Sequence, residues 1–411
     1  MSIQELKSLA ESAGYEVVGE MVQTRDPDPS FQIGSGKVEE LAKLVKEKDA
    51  KKIIFDNDLK PVQSYNLAKA THVEVIDRFQ LILEIFARRA STKEARLQIQ
   101  LAKLKYELAH AKEKVKLAKK GEQPGFMGLG AYEVDVYYET VKRQIHFIQE
   151  RLRRIRKKRS LHRGRRLELG FSSVSLAGYT NAGKSSLFNS LVEENVPVDS
   201  GLFTTLSTTT RILRLMEKRV LLTDTVGFID RLPLQLIEAF HSTLEETILS
   251  NLVLLVVDLS EPLKEVERKL TCGLDTLQKI GVSGIPIVTA LNKIDLMKQS
   301  EVESKLETLK DMAPNFIPVS ALKRTNIELL KRQVADFVFK DYIQAVLSLP
   351  VSGNSMSFLS WLFNRADVKR VEYEKDQVNV VFESVPWFAN KVGGHASRLG
   401  GTVRKLHKPF N

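Results

Sequence analysis

The sequence predicts a multidomain α/β protein, and three features of its 411 residues indicate this class. Strand-like and helix-like patterns alternate in residues 15–90 and, on a larger scale, in residues 171–345. Such alternation is typical of parallel sheets with helices on their faces. Between them, apolar residues recur at spacings of three and four, which indicates two long helices. We predict four domains: an N-terminal α/β domain (1–90), a helical hairpin with linker (91–170), a larger α/β domain (171–345) and a small C-terminal α+β domain (346–411).

The N-terminal domain is predicted from three short strands and three helices. The strands are "YEVVGEMVQ", "KKIIFDN" and "VEVID", and the helices are "KVEELAKLVKEK", residues 61–69 and "RFQLILEIFARRA". The stretch "IGSGKVEE" looks like a phosphate-binding loop, but Phe31 stands where the first glycine is needed and Val38 where a hydroxyl is needed. We therefore predict only a glycine turn that opens a helix.

The hairpin is predicted from two matching apolar seams separated by "GEQPGFMGLG", a glycine-rich break. The seams consist of Leu97, Leu101, Leu104, Leu108, Ala111 and Val115, then Val134, Tyr138, Val141, Ile145, Ile148, Leu152 and Ile155. The second helix continues into "RLRRIRKKRSLHRGRR", which has ten Lys or Arg residues and no acid, in a chain of net charge +11. This run favours a nucleic-acid partner, although a solvated linker would also explain it.

The larger domain is predicted to contain six strands, "SSVSLAG", "RILRLM", "RVLLTD", "NLVLLVVD", "IPIVTALNK" and "NFIPVSA". The C-terminal domain is predicted to contain a helix at "SFLSWLFNRA" and strands at "VKRVEYEK" and "QVNVVFES". The longest apolar run near the middle of the chain, "LVLLVV", is too short to span a bilayer. The N-terminus lacks the basic start and apolar stretch of a signal peptide, and the single Cys272 builds neither a disulfide nor a metal cluster. These features favour a cytoplasmic protein.

The stretch "GYTNAGKSS" carries the clearest chemistry, because it follows a predicted strand and opens a predicted helix. It fits the P-loop pattern, in which glycines let backbone N–H groups surround phosphate oxygens. The lysine reaches the β- and γ-phosphates, and the serine hydroxyl ligates Mg²⁺. We therefore predict a P-loop domain that binds a nucleoside triphosphate with Mg²⁺. The predicted loop residues are Gly178, Tyr179, Thr180, Asn181, Ala182, Gly183, Lys184, Ser185 and Ser186.

Three later stretches predict guanine as the base. In "DTVG", Asp224 is placed to hold Mg²⁺ through water, and the Gly227 N–H is placed to meet the γ-phosphate. In "NKID", Asp295 can accept from guanine N1–H and the 2-amino group, while Asn292 and Lys293 brace the loop. In "SA", Ser320 and Ala321 end the last strand, and the Ala321 N–H can donate to guanine O6.

These segments together resemble the HflX-type GTPases, which are ribosome-associated P-loop GTPases. The resemblance rests on "GSGKVEELAKLV", "FDNDLKPVQSYNLAKATHVEVIDRFQLILEIFARRA", "ARLQIQLAKLKYEL", "GYTNAGKSSLFN", "LFTTLSTTTR", "DTVGFIDRLPLQLIEAFHSTLEE" and "NKID". It implies GTP hydrolysis and binding to ribosomes, chiefly to the large subunit and its rRNA, and some members split ribosomes. By resemblance, Thr205 is the switch threonine that closes on Mg²⁺ and the γ-phosphate, so the predicted catalytic residues are Lys184, Thr205 and Gly227.

Three positions depart from the residues usual in related GTPases. Phe228 follows "DTVG", where Ras-like GTPases usually place a water-orienting glutamine, and the HflX-type family is similar in using a hydrophobic residue there. Slow unassisted turnover is therefore expected. At the hairpin tip, Met127 and Ala131 stand where many family members carry arginine and glutamate.

Two functions remain open from the sequence. The first is a GTPase switch that acts as a monomer on the ribosome, splitting or recycling it. The second is an rRNA-binding or ribosome-assembly module in which GTP binding is mainly structural.

Overall fold

The computed structural model describes residues 3–121, 129–168, 171–192, 209–216, 218–225, 227–228, 246–363 and 365–406. Within these ranges the strands form sheets of two, six and four strands, and helices flank or follow them. The predicted α/β class is therefore confirmed. The described residues up to 156 form one compact unit, and those from 157 onward form a second. The four domain limits given above remain predictions.

The first unit begins with a small α/β arrangement. Its elements are α1 (Ile3–Ser12), α2 (Ser35–Glu47), β1 (Lys52–Phe55), α3 (Pro61–Thr71), β2 (Glu74–Asp77) and α4 (Arg78–Arg89). Strands β1 and β2 pair in parallel, with Ile53 opposite Val75. Gly34 is the N-cap of α2, so "IGSGKVEE" does form a glycine turn that opens a helix, as predicted. Asp77 ends β2 and caps α4 by accepting from the Gln80 N–H at 2.9 Å.

Two features of this arrangement differ from the prediction. The first predicted strand, "YEVVGEMVQ", is wrong, because residues 15–23 have no regular secondary structure and join no sheet. Val18 and Val22 are 44% and 66% exposed, so these apolar side chains do not form a buried strand face. Helix α1 was not predicted, although Leu9 and Ala10 on one of its faces are buried.

The hairpin consists of α5 (Lys93–Gly121) and α6 (Leu129–Glu168). Leu97, Leu101 and Leu104 of α5 pack with Val141, Ile148 and Leu152 of α6 in one buried cluster. The predicted antiparallel pairing is confirmed over these residues. The connection at 122–128, including Met127, lies outside the described residues, as does the side chain of Ala131.

The second unit contains the larger sheet, whose described strands lie in the order β4-β5-β3-β6-β7-β8. Its elements are β3 (Ser172–Gly178), α7 (Lys184–Val192), β4 (Thr209–Leu215), β5 (Lys218–Asp224), β6 (Leu252–Asp258), α8 (Leu263–Lys279), β7 (Ile287–Asn292), α9 (Gln299–Leu309), β8 (Phe316–Pro318) and α10 (Ile327–Val338). Only the β4–β5 pair is antiparallel among the described neighbours. Parallel strands place their carboxyl ends at one edge, where ligands of such sheets bind. The loops after β3, β5, β7 and β8 therefore meet at that edge.

The chain ends in an antiparallel sheet of order β10-β11-β9-β12. Its elements are β9 (Ile343–Pro350), α11 (Gly353–Phe363), β10 (Asp367–Tyr373), β11 (Gln377–Ser384), α12 (Pro386–Arg398) and β12 (Thr402–Leu406). Strand β9, helix α12 and strand β12 were not predicted from the sequence.

Lys218 joins this sheet to the start of β5. Its Nζ lies 2.5 Å from Glu383 Oε2 and 3.6 Å from Asp367 Oδ2. The same ammonium faces the rings of Phe339 and Tyr342, at 4.7 and 5.0 Å from their centroids. Since the Lys218 side chain is only 12% exposed, this is a largely desolvated clamp within the second unit.

Candidate GTP-binding site

The phosphate loop leaves β3 through backbone conformations that require glycine. Gly178 has φ +138°, and a Cβ there would overlap the carbonyl oxygen of Val256 on the neighbouring strand. Gly183 has φ +89°, and a Cβ there would overlap the Asn292 amide nitrogen. Side chains other than glycine are strained in this region of φ. The two glycines therefore let the loop lie against β6 and against the "NKID" segment.

Lys184 begins α7 and points back into the loop. Its Nζ donates to the Tyr179 carbonyl oxygen at 2.7 Å, and the residue is only 7% exposed. Burial lowers the pKa of Lys184 to about 8, while the nearby Asp224 carboxylate opposes this shift. A buried ammonium at a helix N-terminus is well placed to bind phosphate oxygens, whose negative charge would restore its pKa.

Ser185 and Asp224 bring two oxygen atoms together at the end of β5. The Ser185 hydroxyl donates to Asp224 Oδ2 at 3.1 Å, and Asp224 is 3% exposed. Mg²⁺ prefers oxygen ligands and is commonly held by one or two protein groups plus substrate phosphates. The donor set therefore fits a Mg²⁺ ion that would be bound together with a nucleotide.

The "DTVG" segment lies directly against the phosphate loop. A Cβ on Gly227 would come within 2.9 Å of Lys184 Nζ, so glycine permits this approach. The Phe228 N–H donates to Gly178 O at 2.9 Å, and the Thr180 N–H donates to Phe228 O at 2.8 Å. Phe228 is 3% exposed. Its backbone polar groups are thus bonded to the phosphate loop, and its ring carries no group that could hydrogen-bond to water.

Asn292 connects the phosphate loop with the "SA" loop. Its Nδ2 donates to Ala182 O at 3.0 Å, and its Oδ1 accepts from the Ala321 N–H at 3.0 Å. The side chain is 1% exposed, so both bonds are made away from water. One amide therefore fixes two loops that reach it from different strands.

Asp295 and Ser320 face each other at 2.6 Å, with the Ser320 hydroxyl donating to Asp295 Oδ1. This bond uses one of the two carboxylate oxygens of Asp295. The Ala321 N–H, predicted to meet guanine O6, donates here to Asn292 Oδ1. A guanine O6 would therefore have to share this N–H with Asn292.

Lys293 forms an ion pair with Asp258 that was not predicted from the sequence. Its Nζ lies 2.6 Å from Asp258 Oδ2, and Asp258 Oδ1 accepts from the Ser260 N–H and hydroxyl at 3.0 and 2.6 Å. Lys293 itself has a left-handed backbone, with φ +69°. Asp258 ends β6 next to β7, so its position follows from strand order, which the local sequence does not reveal.

The remaining predicted residues divide into two groups. Those placed on the loop and the start of α7 are Tyr179, Thr180, Asn181, Ala182 and Ser186. The Tyr179 ring is buried and lies 5.2 Å from Lys269 Nζ of α8. Thr205, the predicted switch threonine and metal ligand, lies outside the described residues.

Family comparisons match three consecutive regions of the chain. Residues 1–87 match a model described as "GTP-binding GTPase N-terminal", and residues 89–166 match "GTP-binding GTPase Middle Region". Residues 173–293 match a model described as "50S ribosome-binding GTPase". The last region contains the phosphate loop, "DTVG" and Asn292.

Curated relatives extend over most of the chain. GTPase HflX of Thermofilum pendens is 47% identical over 84% of this chain and 82% of its own length. GTPase HflX of Methanocaldococcus jannaschii is 48% identical over 82% of both chains. A solved structure of a GTP-binding protein from Sulfolobus solfataricus in complex with GDP is 31% identical and covers 82% of this chain and 96% of its own, with a TM-score of 0.45.

No helix within the described ranges is long and apolar enough to cross a bilayer. The family matches and the identity to curated relatives agree with the resemblance inferred from "GYTNAGKSSLFN" and the accompanying segments. The chain belongs to the HflX family of GTPases, which hydrolyse GTP to GDP.

Proposed function

We propose that this GTPase binds GTP with Mg²⁺ and acts as a nucleotide-dependent switch on the large ribosomal subunit. The observation that supports nucleotide binding is the Asn292 amide, which bonds to Ala182 in the phosphate loop and to Ala321 in the "SA" loop. Because Asp295 is held beside that loop by Ser320, the groups for phosphate and for base lie on one connected framework.

Asp295 provides the base selectivity in this proposal. Asp295→Asn replaces an acceptor oxygen by an amide, so an N–H can face the guanine donors. We expect GTP affinity to fall by at least ~2 kcal/mol and preference to move towards xanthosine triphosphate, because a polar site rejects a partner with the wrong hydrogen-bonding groups. Competition binding with both nucleotides measures this. Asp311→Asn, at an exposed position, is the matched control. An unchanged preference for GTP in Asp295→Asn would exclude the guanine assignment.

Lys184, Gly227 and Ser185 supply the groups for phosphoryl transfer. The Lys184 ammonium neutralises charge on the β- and γ-phosphates, and the Gly227 N–H is placed to meet the γ-phosphate. Ser185 and Asp224 would hold Mg²⁺, with Thr205 joining them; the ion would neutralise charge on the phosphates. These residues bind and orient GTP, but they do not supply a general base for the attacking water.

Phe228 explains why a partner is needed. Its ring cannot orient water, and its backbone N–H and carbonyl are both bonded to the phosphate loop. Unassisted turnover is therefore expected to be on the order of 10⁻⁴ to 10⁻² s⁻¹, the range of GTPases that act without a stimulating partner. We propose that the ribosome orders the water-positioning groups. Fast turnover of Phe228→Gln alone, without ribosomes, would contradict this explanation.

Two observations support binding to the ribosome: the match to the model "50S ribosome-binding GTPase" and the basic end of α6. Exposed cations cover this part of the helix, while Leu152 is buried in the hairpin seam and Ile155 packs against it. The exposed cations are Arg151, Arg153, Arg154, Arg156, Lys157 and Lys158. A continuous cationic helix face fits a phosphate backbone, and such binding releases counterions.

Co-sedimentation with each ribosomal subunit tests this contact. Changing Arg153, Arg154, Arg156 and Lys157 to glutamine should weaken binding to the large subunit and flatten its salt dependence, since each lost phosphate contact removes roughly 0.7 to 0.9 from the slope. GTP affinity should stay within about threefold. The control replaces four exposed lysines elsewhere, Lys264, Lys279, Lys310 and Lys375, so that both variants lose the same charge. Equal salt slopes for the two variants would mean that α6 is only a solvated linker.

We also propose that the protein works as a monomer in the cytoplasm, where its ribosomal partner is found. Light scattering of the purified chain checks the monomer, and fractionation of cells checks the compartment.

A further inference from the structure

The first unit contains an open cleft that the nucleotide site does not use. Its volume is about 620 Å³, within the range of pockets that hold small ligands or several side chains. It lies between α3 and the two hairpin helices, and it reaches β2, one of the two strands of the small sheet. Its lining residues are Pro61, Ser64, Tyr65, Ala68, Glu74, Val75, Gln80, Tyr106, Glu107 and Tyr137.

Three tyrosines from three different helices line this cleft. Tyr106 is fixed in place, because its hydroxyl donates to Asp77 Oδ2 at 2.8 Å and its ring stacks on Phe79 at 4.7 Å. Tyr65 and Tyr137 are more accessible, at 62% and 47% exposed, although the Tyr137 hydroxyl hydrogen-bonds to Glu107. Tyrosines are enriched at binding surfaces, because the ring is apolar and the hydroxyl is polar. The cleft thus has one fixed ring and two accessible rings.

The charged groups in the lining are acidic, in a chain whose net charge is +11. They are Glu74 and Glu107, and the described lining contains no Lys or Arg. Lys52 lies 3.0 Å from Glu74, but the same ammonium also lies 3.0 Å from Glu84, so it offsets only part of this charge. Lys103 reaches Glu107 at 3.9 Å from a largely exposed position. The lining therefore keeps a net negative character.

The tyrosine pKa values agree with this electrostatic character. The pKa of Tyr106 is raised by burial and then by the Asp77 carboxylate. The pKa of Tyr137 is raised by burial and then by Glu107. Behind the cleft, the pKa of Asp58 is raised by burial and by Asp77, against the effect of Arg78. The carboxylate contribution to each shift disfavours a further negative charge, whereas burial, the larger cause, disfavours a charge of either sign.

We propose that this cleft binds arginine or lysine side chains of a basic polypeptide. The exposed rings of Tyr65 and Tyr137 would lie against the cation, since cation–π contacts favour ammonium and guanidinium groups within about 6 Å of a ring centroid. Glu74 and Glu107 would pair with the same groups. Because the cleft is larger than one side chain and reaches an edge strand, an extended segment fits it better than a single amino acid. This site is independent of the proposed GTP site.

The proposal is tested with the full-length protein saturated with GDP, so that the nucleotide site is occupied. The probe is an acetylated, amidated peptide in which arginine and glycine alternate over six residues. A second peptide carries citrulline, the neutral isostere, at each arginine. Titration calorimetry should show binding of the arginine peptide and at least tenfold weaker binding of the citrulline peptide. Equal binding of both peptides, or of neither, would overturn the proposal.

Variants locate the binding within the chain. A cation–π contact contributes ≈ 0.5–1 kcal/mol at exposed sites, so Tyr137→Ala should weaken the arginine peptide two- to fivefold. Glu107→Gln should weaken it by a similar factor, and the weakening should disappear at high salt. The control is Tyr373→Ala, which removes a 65% exposed tyrosine from β10. If Tyr137→Ala and Tyr373→Ala bind the peptide equally, the cleft is not the site.

ATP supplies the opposite probe, because it carries an aromatic base with a polyanion. The GDP-saturated protein should not bind ATP in this cleft. ATP binding that is lost in Tyr137→Ala would show that the cleft holds a nucleotide, and the proposal for a basic polypeptide would then be wrong.

Discussion

Asn292→Ala removes the side chain that joins the phosphate loop to the "SA" loop. The Ala182 carbonyl and the Ala321 N–H each lose a 3.0 Å hydrogen bond at a position where Asn292 is 1% exposed. Leaving a buried polar group without its partner costs about 1–3 kcal/mol, so two such groups cost roughly 2–6 kcal/mol. We expect the lower half of this range, because both groups belong to loops that can relax towards water.

The assay combines urea unfolding of the nucleotide-free protein with GDP binding by calorimetry. Asn292→Ala should lower the free energy of unfolding by about 2–4 kcal/mol and weaken GDP binding at least tenfold, since 1.4 kcal/mol corresponds to a factor of ten. Asn315→Ala is the control, because Asn315 also donates to a carbonyl of β7, that of Ile287 at 3.0 Å, but from an exposed position at the opposite end of the strand. If both variants bind GDP as the unchanged protein does, the connecting role of Asn292 is refuted.

Three further predictions concern burial, backbone geometry and the clamp. The pKa of Lys184 is about 8 in the folded protein and 10.5 in the unfolded chain, so between these pH values only the unfolded chain keeps the proton. The free energy of unfolding should therefore rise by roughly 3 kcal/mol between pH 8 and pH 10.5. The difference in this free energy between wild type and Lys184→Met, measured from pH 7 to 10.5, tests the prediction. Gly178→Ala should abolish GDP binding, because the alanine Cβ would overlap the Val256 carbonyl oxygen. The control is Gly36→Ala, at an open helical position, which should leave GDP binding unchanged and raise the free energy of unfolding by about 0.5–1 kcal/mol. Equal GDP affinities of the two variants would disprove the phosphate-loop geometry. Lys218→Met should lower stability by about 3–5 kcal/mol, because it removes the ammonium that pairs with the Glu383 carboxylate, whose side chain is only 12% exposed. Adding Glu383→Gln should recover much of this loss in thermal unfolding; no recovery would mean that ring packing dominates the clamp.

The sequence predicted the elements with strong local signals. The phosphate loop and α7 were found because glycine spacing and the apolar strand before it are local features. The hairpin was found because its seam repeats at helical spacing, and the cluster around Leu101 and Ile148 uses those positions. The strand prediction for residues 15–23 was wrong for the opposite reason. Their alternation resembles a strand, but a strand also needs a neighbouring ladder, which local pattern does not supply.

Some missed elements did carry a signal. Strand β9 buries Ala345, Leu347 and Leu349 with a period of two, which its sequence "IQAVLSLP" shows. The sequence around Asp258 carried no signal for its contact with Lys293, because an aspartate before Leu-Ser resembles an ordinary turn residue. Its contact with Lys293 exists only because β6 and β7 are neighbours in the sheet. The bond between Ala321 N–H and Asn292 likewise depends on how two loops meet.

GTP turnover with and without purified ribosomal subunits tests the central claim most directly. Single-turnover hydrolysis by the chain alone should be slow, on the order of 10⁻⁴ to 10⁻² s⁻¹, because nothing at Phe228 orients water. Large subunits should accelerate it at least tenfold, and small subunits should not. A rate that large subunits leave unchanged would contradict the proposed ribosome-dependent switch and favour a module in which bound GTP is structural.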